Sequence, residues 1–128
     1  MASSAVLDAS ALLALMRHEK GEAAVSACLS SAVVSTVNLA EVQAKLVSAG
    51  LNDQEAWWHI AEIGCESIVF DEEQARIAGA LVKLTRPYGL SLGHRACLAL
   101  AIQRQATAYT TDAAWKNLAL EIDVEVIR

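Results

Sequence analysis

The sequence predicts an α/β fold, a mainly parallel sheet of four to five strands flanked by helices. Three observations point there. Short runs of branched and apolar residues alternate with longer segments whose apolar residues recur at helical spacing, the pattern of successive βαβ crossovers. Hydrophobic residues make up 55% of the chain but aromatic residues only 5%. Many of the hydrophobic residues are alanine, which favours packed helices over an all-β sandwich. At 128 residues the chain has the length of one domain and can bury its own core without disulfides or a structural metal. No internal repeat, linker or compositional break divides it, so residues 1–128 are expected to form a single domain.

The elements follow in order. Ala5-Val6-Leu7 reads as the first strand and about Ala9 to Met16 as an apolar helix. Gly21 to Leu29 reads as a second helix, and Ala32-Val33-Val34 as a strand of small and branched residues. Leu39, Val42, Leu46 and Val47 recur at helical spacing and stop at Gly50. Asn52 or Asp53 caps the next helix, which carries Trp57, Trp58, Ile60, Ala61 and Ile63. Neighbours on a helix point about 100° apart, so one tryptophan can join the core while the other leans outward to anchor an interface, with both rings packed in the core as the alternative. Ser67 to Phe70 forms the third strand. Asp71, Glu72 and Glu73 then open a helix that ends before Pro87, the acids complementing its dipole. Ser91 caps a helix from Leu92 to about Gln103. Thr107 to Thr111 is a strand, Ala113 to Leu118 a short helix and Val124 to Ile127 the last strand.

Charge narrows the partners. Ten Lys and Arg against fifteen Asp and Glu give a net charge of −5, so no general basic field holds a nucleic acid. Such a partner must be gripped by local arginines or a bound metal. Cys28, Cys65 and Cys97 are odd in number, form no CxxC pair and sit mostly in apolar surroundings, as reduced core thiols do. The first residues lack a basic leader region, Asp8 interrupts their apolar run, and no later stretch is long enough to span a bilayer. A cytoplasmic protein with no membrane partner is expected. There is no GxxxxGK[ST] phosphate loop and no GxGxxG turn. Ser10 stands where a haloacid-dehalogenase-type phosphatase needs its second aspartate, and no acidic pair precedes a strand-end aspartate as a receiver domain requires.

In parallel sheets, functional groups gather beyond the carboxyl ends of the strands. Asp8 directly follows the first strand and Asp112 the strand ending at Thr110-Thr111. Each suits a helix N-cap as well as a crevice. Glu41 is a charged group among Ala40, Val42 and Ala44 near a helix start. Burying an unpaired carboxylate is costly, and converging carboxylates without basic partners repel, so a hard divalent cation fits such a cluster. Oxygen ligands favour Mg²⁺ or Mn²⁺ over zinc. Arg95, Arg104 and Lys116 lie in segments flanking the expected crevice and are candidates to contact phosphate; His18 and His59 read as surface residues.

The segment Val6-Leu7-Asp8-Ala9-Ser10-Ala11-Leu12-Leu13-Ala14 resembles the opening motif of PIN-domain ribonucleases, and Asn38-Leu39-Ala40-Glu41-Val42 their second. The segment from Leu90 to Ala101 resembles the third and Thr110-Thr111-Asp112-Ala113-Ala114-Trp115 the fourth. The likeness is greatest to VapC-type toxins of bacterial VapBC toxin–antitoxin pairs. It implies a PIN-like domain and a Mg²⁺-dependent endoribonuclease, with Mn²⁺ as the alternative ion. Asp8, Glu41 and Asp112 match the acidic positions, while Ser10 and Thr110 match hydroxyls that orient those carboxylates or the attacking water. One position departs from the pattern: His94 stands where the third acidic residue belongs, and as a neutral imidazole it ligates softer ions than Mg²⁺. The resemblance also implies an RNA substrate, a homodimer and a VapB-type antitoxin with a basic or amphipathic segment. A PIN-like module that binds RNA or antitoxin without cutting is the alternative that His94 keeps open.

Overall fold

A five-stranded sheet organises residues 5–128, the part of the chain that the computed structural model describes. The elements run β1 (Ala5–Leu7), α1 (Ala9–Met16), α2 (Glu22–Cys28), β2 (Ala32–Ser35), α3 (Thr36–Ser48), α4 (Asp53–Ile63) and β3 (Glu66–Ile68). They continue through α5 (Glu72–Ala80), α6 (Val82–Thr85), α7 (Leu92–Arg104), β4 (Thr107–Thr110) and β5 (Val124–Val126). Short 3-10 turns occupy Leu29–Ser31, Arg86–Tyr88 and Ala113–Asn117. The strand order is β3-β2-β1-β4-β5 and every pairing is parallel. The expected α/β architecture, a parallel sheet flanked by helices, is therefore present.

Alternation along the central strand builds two cores. Ala5 and Leu7 face one side with Ala32 and Val34, under α1, α2, α3 and α4. Val6 and Val33 face the other with Ala108, under α7 and Trp115. Side-chain caps fix where the helices start: Asp8 for α1, Ser35 for α3, Asn52 for α4, Asp71 for α5 and Ser91 for α7. Gly21 lies just outside α2 with φ +105°, a conformation suited to glycine, and a Cβ there would collide with Ile127.

Three expectations need correction. The third strand is Glu66–Ile68 and not Ser67 to Phe70, because pairing of Val33, Val34 and Ser35 with Glu66, Ser67 and Ile68 sets it. Val69 leaves the sheet 71% exposed, and the Phe70 N–H donates to Thr36 Oγ1. The helix expected from Asp71 to Pro87 is interrupted at Leu81 and closes in a 3-10 turn. Neither Trp57 nor Trp58 joins the core; they are 50% and 59% exposed. The cause is a narrow buried stripe on α4, only Ala56 and Ile60, which both rings flank. Trp115 is the core tryptophan. Among the described residues no helix is long and apolar enough to cross a membrane.

Candidate active site

The strand order reverses between β1 and β4, and a parallel sheet opens a crevice at the carboxyl ends of two such strands. Asp8, one residue beyond β1, forms the floor of that crevice at 1% exposure. Its carboxylate is held from both sides. Oδ1 accepts from Ser10 Oγ at 2.6 Å and from the Ala11 N–H at 2.8 Å. Oδ2 accepts from Thr110 Oγ1 at 2.6 Å. Each hydroxyl is itself fixed by backbone, since Thr111 N–H donates to Ser10 Oγ (3.0 Å) and Asp112 N–H to Thr110 Oγ1 (3.1 Å). Burial pushes the Asp8 carboxyl above the usual carboxylate range, against the pull of Ser10, Thr110, the Ala11 N–H and nearby His94. Ser10 and Thr110 thus stand where they orient Asp8.

Glu41 reaches the same crevice from the second turn of α3. Its Oε1 accepts from Asn38 Nδ2 at 2.9 Å, and that amide also donates to the Gly93 carbonyl at 3.0 Å, tying α3 to α7. The carboxylate lies so close over Gly93 that a Cβ there would overlap it. Beneath, the Cys97 thiol is fully buried, and burial together with the Asp8 and Glu41 charges pushes its pKa well up.

The other two predicted positions have local partners. Asp112 Oδ1 accepts from the Ala114 N–H at 3.0 Å, capping the 3-10 turn. It joins Asp8 through Thr110 but does not line the cavity. His94 completes a capping box on α7: its N–H donates to Ser91 Oγ, and its Nδ1 accepts from the Ser91 N–H at 3.1 Å. The ring stacks edge-on to Trp115, centroids 5.6 Å apart. In that tautomer Nε2 carries the proton, so ligation of a metal through Nε2 requires giving up the Nδ1 capping bond.

A cavity of about 450 Å³ opens over Asp8, Ser10, Glu41 and His94. Its basic wall is not the one expected. Arg95 donates to the Ala78 carbonyl, Arg104 closes α7 at the opposite end of the sheet, Lys116 is exposed on the 3-10 turn, and none lines the cavity. Arg17, Lys45 and Arg128 do. Lys45 had a signal in the sequence, four residues beyond Glu41 on one helix face, as did Asn38, three residues before it. Arg128 had none, because its place depends on β5.

Among the described residues no three His, Cys, Asp or Glu side chains are grouped as a metal cage. Mg²⁺ does not require one, since it is held by one or two carboxylates with water and substrate phosphate. Two hard carboxylates over one open cavity fit that ion. Asp8 Oδ2, with one hydrogen bond received, retains a lone pair for it.

The chain matches the model of the PIN domain family over residues 5–121. No sequence among the curated proteins matches it. Among solved structures it is similar to VapBC from Salmonella typhimurium bound to DNA, with a TM-score of 0.75, 14% identity and coverage of 95% of this chain and 96% of that one. It is also similar to VapBC2 from Rickettsia felis bound to a promoter DNA fragment, with a TM-score of 0.73, 18% identity and 94% and 96% coverage. A toxin–antitoxin complex from Klebsiella pneumoniae gives a TM-score of 0.72, 20% identity and 94% and 95% coverage. At these identities the likeness establishes a shared fold.

Proposed function

This chain belongs to the PIN-domain family, and from that membership we propose that it is a divalent-metal-dependent endoribonuclease, the VapC-type toxin of a toxin–antitoxin pair. The observation that carries the reading is the fixed Asp8 carboxylate facing the same open cavity as Glu41. Asp8 and Glu41 would hold Mg²⁺, with Mn²⁺ as the alternative. When bound, such an ion supplies water of lowered pKa and stabilises charge on a phosphoryl oxygen. The protein's own part is positional. Ser10 and Thr110 keep Asp8 from rotating, and Asn38 does the same for Glu41, so neither carboxylate reorganises as water adds to phosphorus and the bond to the leaving sugar oxygen breaks. The backbone N–H of Asp112 fixes the Thr110 hydroxyl that fixes Asp8, and its carboxylate, with Oδ1 on the Ala114 N–H, is the third acidic group of the proposed centre.

The antitoxin partner is supported by the structural neighbours, which are toxin–antitoxin complexes. The half-exposed Trp57 and Trp58 on α4 offer an apolar anchor for a homodimer or an antitoxin segment. Sedimentation at tens of micromolar, about the scale of weak dimers, tests the dimer; a monomer there removes it.

His94 favours a second reading. It fills an acidic position of the family motif with a capping residue, which suits a module that binds RNA or antitoxin without cutting. RNA cleavage in Mg²⁺ and in Mn²⁺ decides between the two. Cleavage by the unmodified chain, abolished in Asp8→Asn and Glu41→Gln, supports the ribonuclease. Cleavage by His94→Asp alone supports the binding module.

A further inference from the structure

Three cations line the cavity, and their commitments differ. Arg128 is spent locally, its guanidinium bound to Glu19 Oε1 at 3.1 Å and to the Lys20 carbonyl at 3.3 Å. The side chains of Arg17 and Lys45 make no hydrogen bond or ion pair among the described residues. Lys45 has the spacing to neutralise Glu41 within α3, the orientation that helices favour. Glu41 turns instead to Asn38 and Gly93. Lys45 is left unpaired among the described residues, its position about 6 Å along the axis of α3 from that of Glu41. Arg17 closes α1, nine residues and about 13 Å along the helix from Asp8.

Two exposed, uncommitted cations lining the same cavity as Asp8 and Glu41 are the inverse of a surface that pairs its charges. The chain carries a net charge of −5, and its carboxylates repel a polyanion at the point where one must approach. A metal held by Asp8 and Glu41 would meet only the phosphate under attack, so the flanking phosphates of the strand need fixed positive charge of their own nearby. We propose that Lys45 and Arg17 form a phosphate subsite that holds the RNA backbone beside the nucleotide at the carboxylates, directing a single strand along the α1–α3 side of the cavity. The inference rests on the ribonuclease reading, and it assigns these two side chains to positioning; neither touches the reacting phosphorus.

The test is binding without turnover. A labelled single-stranded RNA oligonucleotide is titrated with the full chain in EDTA, and its anisotropy is followed across a series of KCl concentrations. Each phosphate contact on a single strand contributes about 0.7 to the slope of log K against log salt. Lys45→Ala and Arg17→Ala should each flatten the slope by about 0.7, and the double variant by about 1.4. Lys45→Arg should keep the wild-type slope, as should Lys83→Ala, an exposed lysine on α6 that does not line the cavity. In cleavage, Lys45→Ala should raise KM and leave kcat unchanged. Wild-type slopes in both alanine variants, or no salt-dependent binding by the unmodified chain, overturn the subsite even where RNA is cut. Flattened slopes in a chain that cuts nothing uphold the subsite and overturn the ribonuclease.

Discussion

Replacing Gly93 with alanine places one methyl group where the Glu41 carboxylate now lies. What the methyl meets is the far end of a flexible side chain beside an open cavity, so the carboxylate swings aside at the cost of its hydrogen bond from Asn38, about 1 kcal/mol, against a helix-propensity gain of about 0.5–1 kcal/mol for removing a glycine. Gly93→Ala should therefore leave stability within about 1 kcal/mol of the parent, while displacement of Glu41 should lower any cleavage about 100-fold. Urea unfolding measures the first and RNA cleavage the second. Gly79→Ala on α5 is the internal control, since nothing lies within 4 Å of a Cβ there. It should stabilise by about 0.5–1 kcal/mol. The decisive comparison is a cycle with Glu41→Ala. Once the carboxylate is gone, the added methyl has room and only its helix-propensity gain remains, so the two changes should couple by about 0.5–1 kcal/mol, as residues in contact do. The same stability change in both backgrounds, or cleavage left intact by Gly93→Ala, would refute the reasoning.

Other consequences are as direct. Burial raises the folded pKa of Asp8 above its ordinary 3.8, so the native state holds that proton more firmly. The stability this contributes is complete below the ordinary value and is lost as pH rises through the raised one. Comparing wild type with Asp8→Asn by denaturation, the balance should shift towards wild type as pH falls from 7; parallel profiles count against it. Thr110→Val removes a donor to the buried carboxylate and an acceptor for the Asp112 N–H, and should cost about 1–3 kcal/mol in urea unfolding. A loss below about 0.5 kcal/mol, the range of surface changes, would mean that the contact is dispensable. Burial pushes Cys65 up to about 11 and raises Cys28 and Cys97 as well. Iodoacetamide at pH 8 should label the native chain slowly and all three thiols promptly in urea; rapid native labelling would contradict the packing around them.

How much of this was legible in the sequence depends on the range of the determining contact. Helix starts were readable because Asp71 and Ser91 cap the backbone a few residues away. Asp8 was readable because strand ends of a parallel sheet carry function whatever the details. The limits of β3 were not, since Ile68 and Val69 look alike in sequence and only β2 decides which of them pairs. The tryptophans misled because side-chain size suggests burial, whereas the width of the α4 contact grants it to Ala56 and Ile60. The cavity wall was hardest. Arg17 and Arg128 are separated by most of the chain, and no local pattern announces that the first helix and the last strand deliver them to one opening.

The hydrogen bond between Thr110 and Asp8 closes a sequence separation of 102 residues. Synthesis proceeds from one end, at about 5–20 residues per second, so roughly 5–20 s separate the making of Asp8 from the making of the hydroxyl that holds it. For that interval the carboxylate has no opposite wall, β1 has no β4 beside it, and the cavity does not exist. On the proposed reading, a ribonuclease arranged in this way is harmless to the ribosome that makes it. Its partner has the same interval in which to be waiting.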